Sequence, residues 1–147
     1  MKQKIAIELI SVVFIVLFVY AGASKLLDIQ TFRVQIGQSP LLTHISNFVS
    51  WSIPGIEILV SLILTIPRLR PIGLYCAFTL MVMFTTYIIA ILNFSDHIPC
   101  SCGGVLENLS WTEHLMFNLG FLLLALFGII ISSEKKTFNT GASNRYV

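Results

Sequence analysis

The sequence predicts an all-α protein built as a bundle of four transmembrane helices, and composition, apolar segments and basic residues all indicate it. Of 147 residues, 56% are hydrophobic and 11% are charged, whereas soluble domains contain about 25% charged residues. Four apolar segments approach the roughly 20 residues that cross the hydrocarbon core of a bilayer. The formal net charge of +2 does not indicate a nucleic-acid partner. One integral membrane domain, residues 1–147, accounts for this pattern.

The predicted spans cover residues 5–27, 46–66, 72–92 and 111–131. Lys2 and Lys4 precede the first, and Ala-Gly-Ala at 21–23 resembles a signal-peptide cleavage site. The apolar run is longer than the core of a usual signal peptide, so we interpret it as a retained span. Residues 53–66 are too few to cross the membrane alone, so we expect the second helix to begin near Ser46.

The segments between the spans differ in character. Residues 28–40 mix polar and apolar side chains, which predicts a short interfacial helix at the outer face. A basic turn at 67–71 joins the second and third spans, and the loop at 93–110 contains a cysteine pair. The polar tail at 132–147 is expected to be mobile.

Basic residues predict the orientation. Seven of the nine lie in the amino terminus, the second loop and the tail: Lys2, Lys4, Arg68, Arg70, Lys135, Lys136 and Arg145. Four spans put these segments on one side, and the loop at 93–110 has no Lys or Arg. The positive-inside rule then predicts both termini in the cytoplasm. We expect a multi-pass protein of a bacterial inner membrane whose cysteine loop faces the periplasm, where disulfides persist.

Cys100 and Cys102 lie in the turn Pro-Cys-Ser-Cys-Gly-Gly at 99–104. Two Cα atoms at i and i+2 approach the upper limit of separation for a disulfide. The two glycines can adopt positive φ and help the turn close. Such a small ring is strained, and strained, exposed disulfides are labile. The strained ring and its predicted location on the oxidising side together favour a redox-active pair, while a Cu(I) or Zn site and a chance occurrence remain alternative interpretations.

Glu57 lies about two turns inside the second span. A carboxyl group within a membrane indicates a functional role or a partner, and Lys25 at the outer end of the first span is its natural partner. Two interpretations stay open. The pair is either a structural link between two helices or a group that tunes the thiols or a bound acceptor through charge or proton transfer.

Two histidines and several aromatic residues flank the cysteine loop. A histidinium beside a thiol favours the thiolate, which makes His97 and His114 candidate catalytic residues; solvated histidines are the alternative. Tyr87, Phe84, Phe94 and Trp111 are candidates to line a quinone site near the outer interface, so the sequence suggests quinone as a cofactor. An ordinary belt of interfacial aromatic residues is the alternative.

Three motifs together resemble the MauE/DoxX-like family of small four-span, redox-associated membrane proteins. They are Ala-Gly-Ala-Ser-Lys-Leu at 21–26, Pro-Gly-Ile-Glu at 54–57, and the cysteine turn at 99–104 with Trp111 after it. The resemblance covers about residues 5–131. In methylamine utilisation, the MauE member is linked to maturation of a disulfide-rich dehydrogenase subunit beside a thioredoxin-like partner. The resemblance therefore implies thiol–disulfide exchange with a periplasmic thioredoxin-fold protein.

The layout is also similar to vitamin K epoxide reductase and the DsbB-type oxidases, which relay electrons through Cys-x-x-Cys and further loop cysteines. This chain has Cys-x-Cys and no second outer pair, so we expect the shuttle to be a separate protein. One alternative function is a non-catalytic membrane subunit or assembly factor for a disulfide-rich or respiratory complex, with a membrane-protein partner. Another is a Cu(I)-binding protein using Cys100, Cys102 and His97. The sequence leaves open whether the protein is an enzyme. Membrane lipid surrounds the bundle in every case.

Overall fold

A computed structural model of the protein describes residues 2–37, 43–94 and 111–143. The helices are α1 (Lys2–Leu27), α2 (Ile29–Gly37), α3 (Ser46–Thr65), α4 (Arg70–Phe94) and α5 (Trp111–Ser143), with a 3-10 turn at Thr43–Ile45 before α3. Within these ranges there is no strand, and α1, α3, α4 and α5 contain apolar stretches long enough to cross a membrane. The all-α, four-span prediction is confirmed. Cys100, Cys102 and His97 lie outside the described residues.

The helix boundaries follow the sequence pattern except at the carboxyl end. The short helix α2 lies within residues 28–40, and α3 begins at Ser46. The fourth apolar span is Thr112–Ser133, but α5 continues through polar residues to Ser143. Extending an existing helix is far easier than starting one, so the end of the apolar span does not mark the end of the helix.

Each long helix buries one stripe of side chains against its neighbours. On α3 the stripe recurs every three or four residues: Ser50, Pro54, Glu57, Val60, Ser61 and Leu64. This spacing places side chains on one face of a helix. Phe14 of α1 is fully buried and meets Phe121 of α5 edge to face, with ring centroids 5.6 Å apart. Helix α1 packs mainly on α3, and α4 packs mainly on α5.

Glycines let the helices approach closely at two points. A Cβ atom at Gly22 would lie 3.0 Å from Cδ1 of Ile58 and 3.3 Å from the Pro54 carbonyl oxygen. A Cβ atom at Gly73 would lie 2.7 Å from Cδ2 of Leu64. Small residues at helix interfaces permit such contacts in membranes. Gly22 therefore fixes the approach of α1 to α3, and Gly73 that of α4 to α3.

The alternating helix directions give the bundle two distinct ends. The thiol-loop end contains Leu27, Ser46, Phe94 and Trp111, where the loop that carries the cysteines leaves α4 and enters α5. The basic end contains the first turn of α1, the turn at residues 66–70 and the last part of the α5 span. Backbone N–H groups of Leu69 and Arg70 both donate to the Ile66 carbonyl in that turn. The short connection makes α3 and α4 antiparallel neighbours.

Candidate functional site

A buried ion pair joins α1 to α3 near the thiol-loop end. The Nζ atom of Lys25 donates to both carboxylate oxygens of Glu57, at 2.8 Å and 3.1 Å. Only 1% of the Glu57 side chain and 11% of the Lys25 side chain are exposed. Nζ also lies 3.4 Å from the Ala21 carbonyl oxygen. The pairing predicted for these two residues is therefore present, and it is shielded from solvent.

Helical periodicity explains why the two charges meet. Gly22 is four residues after buried Phe18, and Lys25 is three residues after Gly22, so Lys25 continues the α1 stripe that faces α3. Glu57 follows Pro54 by three residues on the buried stripe of α3. Gly22 leaves room for the Pro54 carbonyl oxygen, which would lie only 3.3 Å from a Cβ atom at this position. The two helices thus approach each other closely within one turn of the ion pair.

Two aromatic rings complete the surroundings of Lys25. Its Nζ atom lies 5.8 Å from the ring centroid of Phe32 and 5.9 Å from that of Phe84. Phe32 belongs to α2 and is only 4% exposed. Aromatic rings at this distance attract a cation, more strongly when water is excluded. Helix α2 therefore covers the ion pair, and its Phe32 ring helps to stabilise the positive charge of Lys25.

His114 brings α5 into the same site. It lies half-buried in the first turn of α5 and interacts electrostatically with Lys25. Trp111, the first residue of α5, lies one turn away toward the cysteine loop. Tyr87 is half-buried on α4, one turn beyond Phe84 in the same direction. All five helices therefore contribute residues to this region.

The sequence-predicted site divides into two groups. Lys25, Glu57 and His114 come together, and Tyr87 lies on α4 near their level. The side chain of Trp111 lies outside the described residues, as do Cys100, Cys102 and His97 entirely, so their contribution to the site stays a prediction. Cys76 is a free thiol, half-buried in α4 and packed against the hydrophobic core.

The sequence analysis missed Asn118. Its side chain is 4% exposed, and its Nδ2 atom has no hydrogen-bond partner in the described part of the chain. It lies one turn after His114 on α5, and residues at i and i+4 share a helix face. A buried donor without a partner is costly, so this amide is a candidate ligand contact. The sequence does show a polar amide within an apolar span at this position, but a search for ionisable side chains alone does not find it.

Comparison with protein families agrees with the architecture. The sequence model of the family described as "Methylamine utilisation protein MauE" matches residues 3–131. The chain belongs to the MauE family. The match runs from the first turn of α1 to the end of the apolar part of α5, so it includes the ion pair and the cysteine loop of this MauE-family protein. Neither a curated protein nor a solved structure matches the chain.

The chemistry available at this end of the MauE-family bundle is that of a shielded polar cluster. It combines a cation and a carboxylate in direct contact, an imidazole close to the cation, and a buried amide one turn away. Interactions between charges are stronger in such low-dielectric surroundings than in water. The cluster can hold a proton-transferring group in place and present hydrogen-bond donors to a bound molecule.

Proposed function

We propose that this MauE-family protein is a membrane thiol–disulfide exchange protein. One observation carries the proposal: the Lys25–Glu57 pair and His114 converge at the end of the bundle where Phe94 and Trp111 flank the cysteine loop. A positively charged group near a cysteine increases the fraction of reactive thiolate. Among the described residues, His114 is the histidine nearest the cysteine loop in sequence, and an imidazole can change its charge near neutral pH.

The proposed reaction moves two electrons between Cys100–Cys102 and a periplasmic thioredoxin-fold protein. A partner thiolate attacks one sulfur of the Cys100–Cys102 disulfide, and the other sulfur leaves as a thiolate and takes up a proton. The second partner thiol, once deprotonated, attacks the mixed disulfide. The cysteine pair of the partner is then oxidised to a disulfide, and Cys100 and Cys102 are reduced to a dithiol. The same steps run in reverse when the partner has the higher reduction potential.

We propose a quinone as the second electron carrier. Oxidation of the Cys100–Cys102 dithiol by a quinone would return the disulfide and give the quinol, with two electrons and two protons transferred. Tyr87 and Trp111 are the proposed binding residues because they lie on α4 and α5 beside the loop. The amide of Asn118 is a suitable donor to a quinone carbonyl oxygen. In this scheme, Lys25 and Glu57 are positioning residues that set the charge environment of His114.

Trapping the mixed disulfide tests the proposed exchange. In the sequence, Cys102 is followed by Gly103 and Gly104, which have no side chains to obstruct an attacking thiolate, whereas Cys100 follows Pro99. We therefore propose that Cys102 exchanges with the partner. The Cys100→Ser variant should then accumulate a mixed disulfide on non-reducing gels, and the Cys102→Ser variant should not. A trap in Cys102→Ser alone would reverse the two roles. The absence of a trap in both variants, with copper retained through purification, would favour the Cu(I)-binding alternative.

We propose that the thiol-loop end faces the periplasm of a bacterial inner membrane. The support is the concentration of Lys and Arg in segments at the basic end. A membrane-impermeant maleimide should therefore label reduced Cys100 and Cys102 in intact spheroplasts, while Cys76 within α4 stays unlabelled. Labelling of the loop cysteines only after permeabilisation would reverse the orientation and place the pair in a reducing compartment.

A further inference from the structure

The basic end of the bundle contains a second candidate site, which the proposed redox reaction does not use. A partly open cavity of about 750 Å³ lies among α1, α4 and α5. The spans Gln3–Leu27 and Arg70–Asn93 begin at this end, and Thr112–Ser133 ends there. The cavity therefore lies where the hydrocarbon core meets the headgroup region of a bilayer.

The charged residues of the cavity are two cations and one carboxylate. Lys4, Arg70 and Glu8 line it, and Nη2 of Arg70 lies 3.3 Å from Oε1 of Glu8. Lys4 is exposed and makes no ion pair with any side chain that the structure describes. The lining thus has an excess of one positive charge, so it favours an anion.

Arg70 has hydrogen-bonding capacity left over. Its side chain is 20% exposed, and its Nε atom is buried without a hydrogen-bond partner among the residues the structure describes. Leaving a buried charged donor unpaired is unfavourable. The planar guanidinium matches the oxygen spacing of a phosphate and can engage two oxygens at once. A small rotation of the side chain would bring Nε to a phosphate oxygen in the cavity, while Nη2 keeps its contact with Glu8.

The rest of the lining is largely apolar. Ile7, Ile72, Tyr75 and Ile129 line the same cavity as the charged residues, and Ser132 adds a hydroxyl. Ile72 and Tyr75 are more than half exposed on the bundle surface, where acyl chains would contact them. A ligand that complements this lining carries a phosphate at one end and a hydrocarbon chain at the other.

We propose that this cavity binds the phosphate group of an anionic phospholipid, with Arg70 and Lys4 as its phosphate ligands. Basic pockets between transmembrane helices bind anionic headgroups in this way. On the orientation given by the basic residues, the lipid belongs to the cytoplasmic leaflet. The site is independent of the cysteine chemistry, because none of its residues lies near the thiol-loop end.

Lipid binding to the full-length protein in zwitterionic detergent tests the proposal. Native mass spectrometry should show more phosphatidylglycerol than phosphatidylcholine retained at equal lipid concentration. The Arg70→Gln variant should bind phosphatidylglycerol about tenfold more weakly, the value for one lost charge-assisted hydrogen bond. The Arg70→Lys variant, which keeps the charge but loses the guanidinium, should also bind more weakly. Lys4→Gln should weaken binding without affecting folding, since Lys4 is exposed.

Arg68→Gln is the matched control, because Arg68 is exposed in the same turn and does not line the cavity. It changes the net charge equally and should leave phosphatidylglycerol binding unchanged. Equal losses in Arg68→Gln and Arg70→Gln would reduce the effect to general surface attraction and overturn the site. Equal retention of the two lipids would also overturn it. Complete displacement of phosphatidylglycerol by millimolar inorganic phosphate would overturn the lipid assignment in favour of a soluble phosphate ligand.

Discussion

The two ends of the bundle each contain a carboxylate paired with a basic side chain, but one pair is buried and the other is partly exposed. Lys25 and Glu57 are 2.8 Å apart, with 11% and 1% of their side chains exposed. Arg70 and Glu8 are 3.3 Å apart, with 20% and 57% exposed. Separating the first pair would leave a charge in a dry interior, whereas Glu8 would remain hydrated. Burial, rather than the presence of an ion pair, therefore decides how strongly each end depends on its charges.

The difference originates in the connections between helices. At the thiol-loop end, α2 (Ile29–Gly37) packs on α3 and places Phe32 against Lys25. At the basic end, α3 and α4 are joined only by the short turn at residues 66–70. No comparable helix covers the Arg70–Glu8 pair in the described part of the chain. The covered end is suited to a shielded reaction site, and the uncovered end to an exchangeable ligand at the membrane surface.

The largest expected effect comes from separating the buried pair. Glu57→Gln should lower the free energy of unfolding by about 3–5 kcal/mol, because Lys25 would keep a buried charge without a counterion. Lys25→Met alone should lower the free energy of unfolding by a similar amount. In a protein that already carries Glu57→Gln, the same Lys25→Met substitution should lower it much less. The measurement is a double-mutant cycle of unfolding in mixed micelles, titrated with a denaturing detergent.

The cycle also tests the interpretation of the ion pair as a positioning group. If the double variant folds but exchanges disulfides more slowly than wild type, the pair contributes to function beyond stability. If the double variant regains both stability and exchange rate, the pair is a structural link alone. Additive effects of the two substitutions would mean that Lys25 and Glu57 do not interact, against the 2.8 Å contact.

The smallest expected effect comes from the matched substitution at the opposite end. Glu8→Gln should change the free energy of unfolding by less than about 1 kcal/mol, as is usual for an exposed ion pair. The same micelle titration measures it, so the two Glu→Gln variants can be compared directly. A loss as large as that of Glu57→Gln would mean that the basic end is as dry as the thiol-loop end and would remove the contrast between them.

Much of the fold could be predicted from the sequence, because span length and apolar composition are dictated by the bilayer. The start of α3 at Ser46 followed from the shortage of apolar residues in 53–66. The Lys25–Glu57 pair followed from the expense of an unpaired charge in a membrane. The continuation of α5 to Ser143 could not be predicted, because the polarity of 132–147 carries no information about where a helix ends.

The residues that surround the Lys25–Glu57 pair were harder to predict from the sequence than the pair itself. The closure of α2 over Lys25 depends on how a short amphipathic helix folds back, and local pattern does not specify that direction. The burial of Asn118 depends on which face of α5 meets its neighbours, and an almost uniformly apolar span has no marked face. Three-dimensional packing was needed for both.

The reduction potential of the Cys100–Cys102 pair is the decisive measurement for the proposed thiol–disulfide exchange. It would be measured on the purified full-length protein by equilibration with glutathione or dithiothreitol buffers and quantified by thiol alkylation. We predict a two-electron couple with a potential above about −300 mV, the approximate upper limit for structural disulfides of secreted proteins. A potential below about −300 mV, or two thiols that never form a disulfide with each other, would contradict a role in thiol–disulfide exchange.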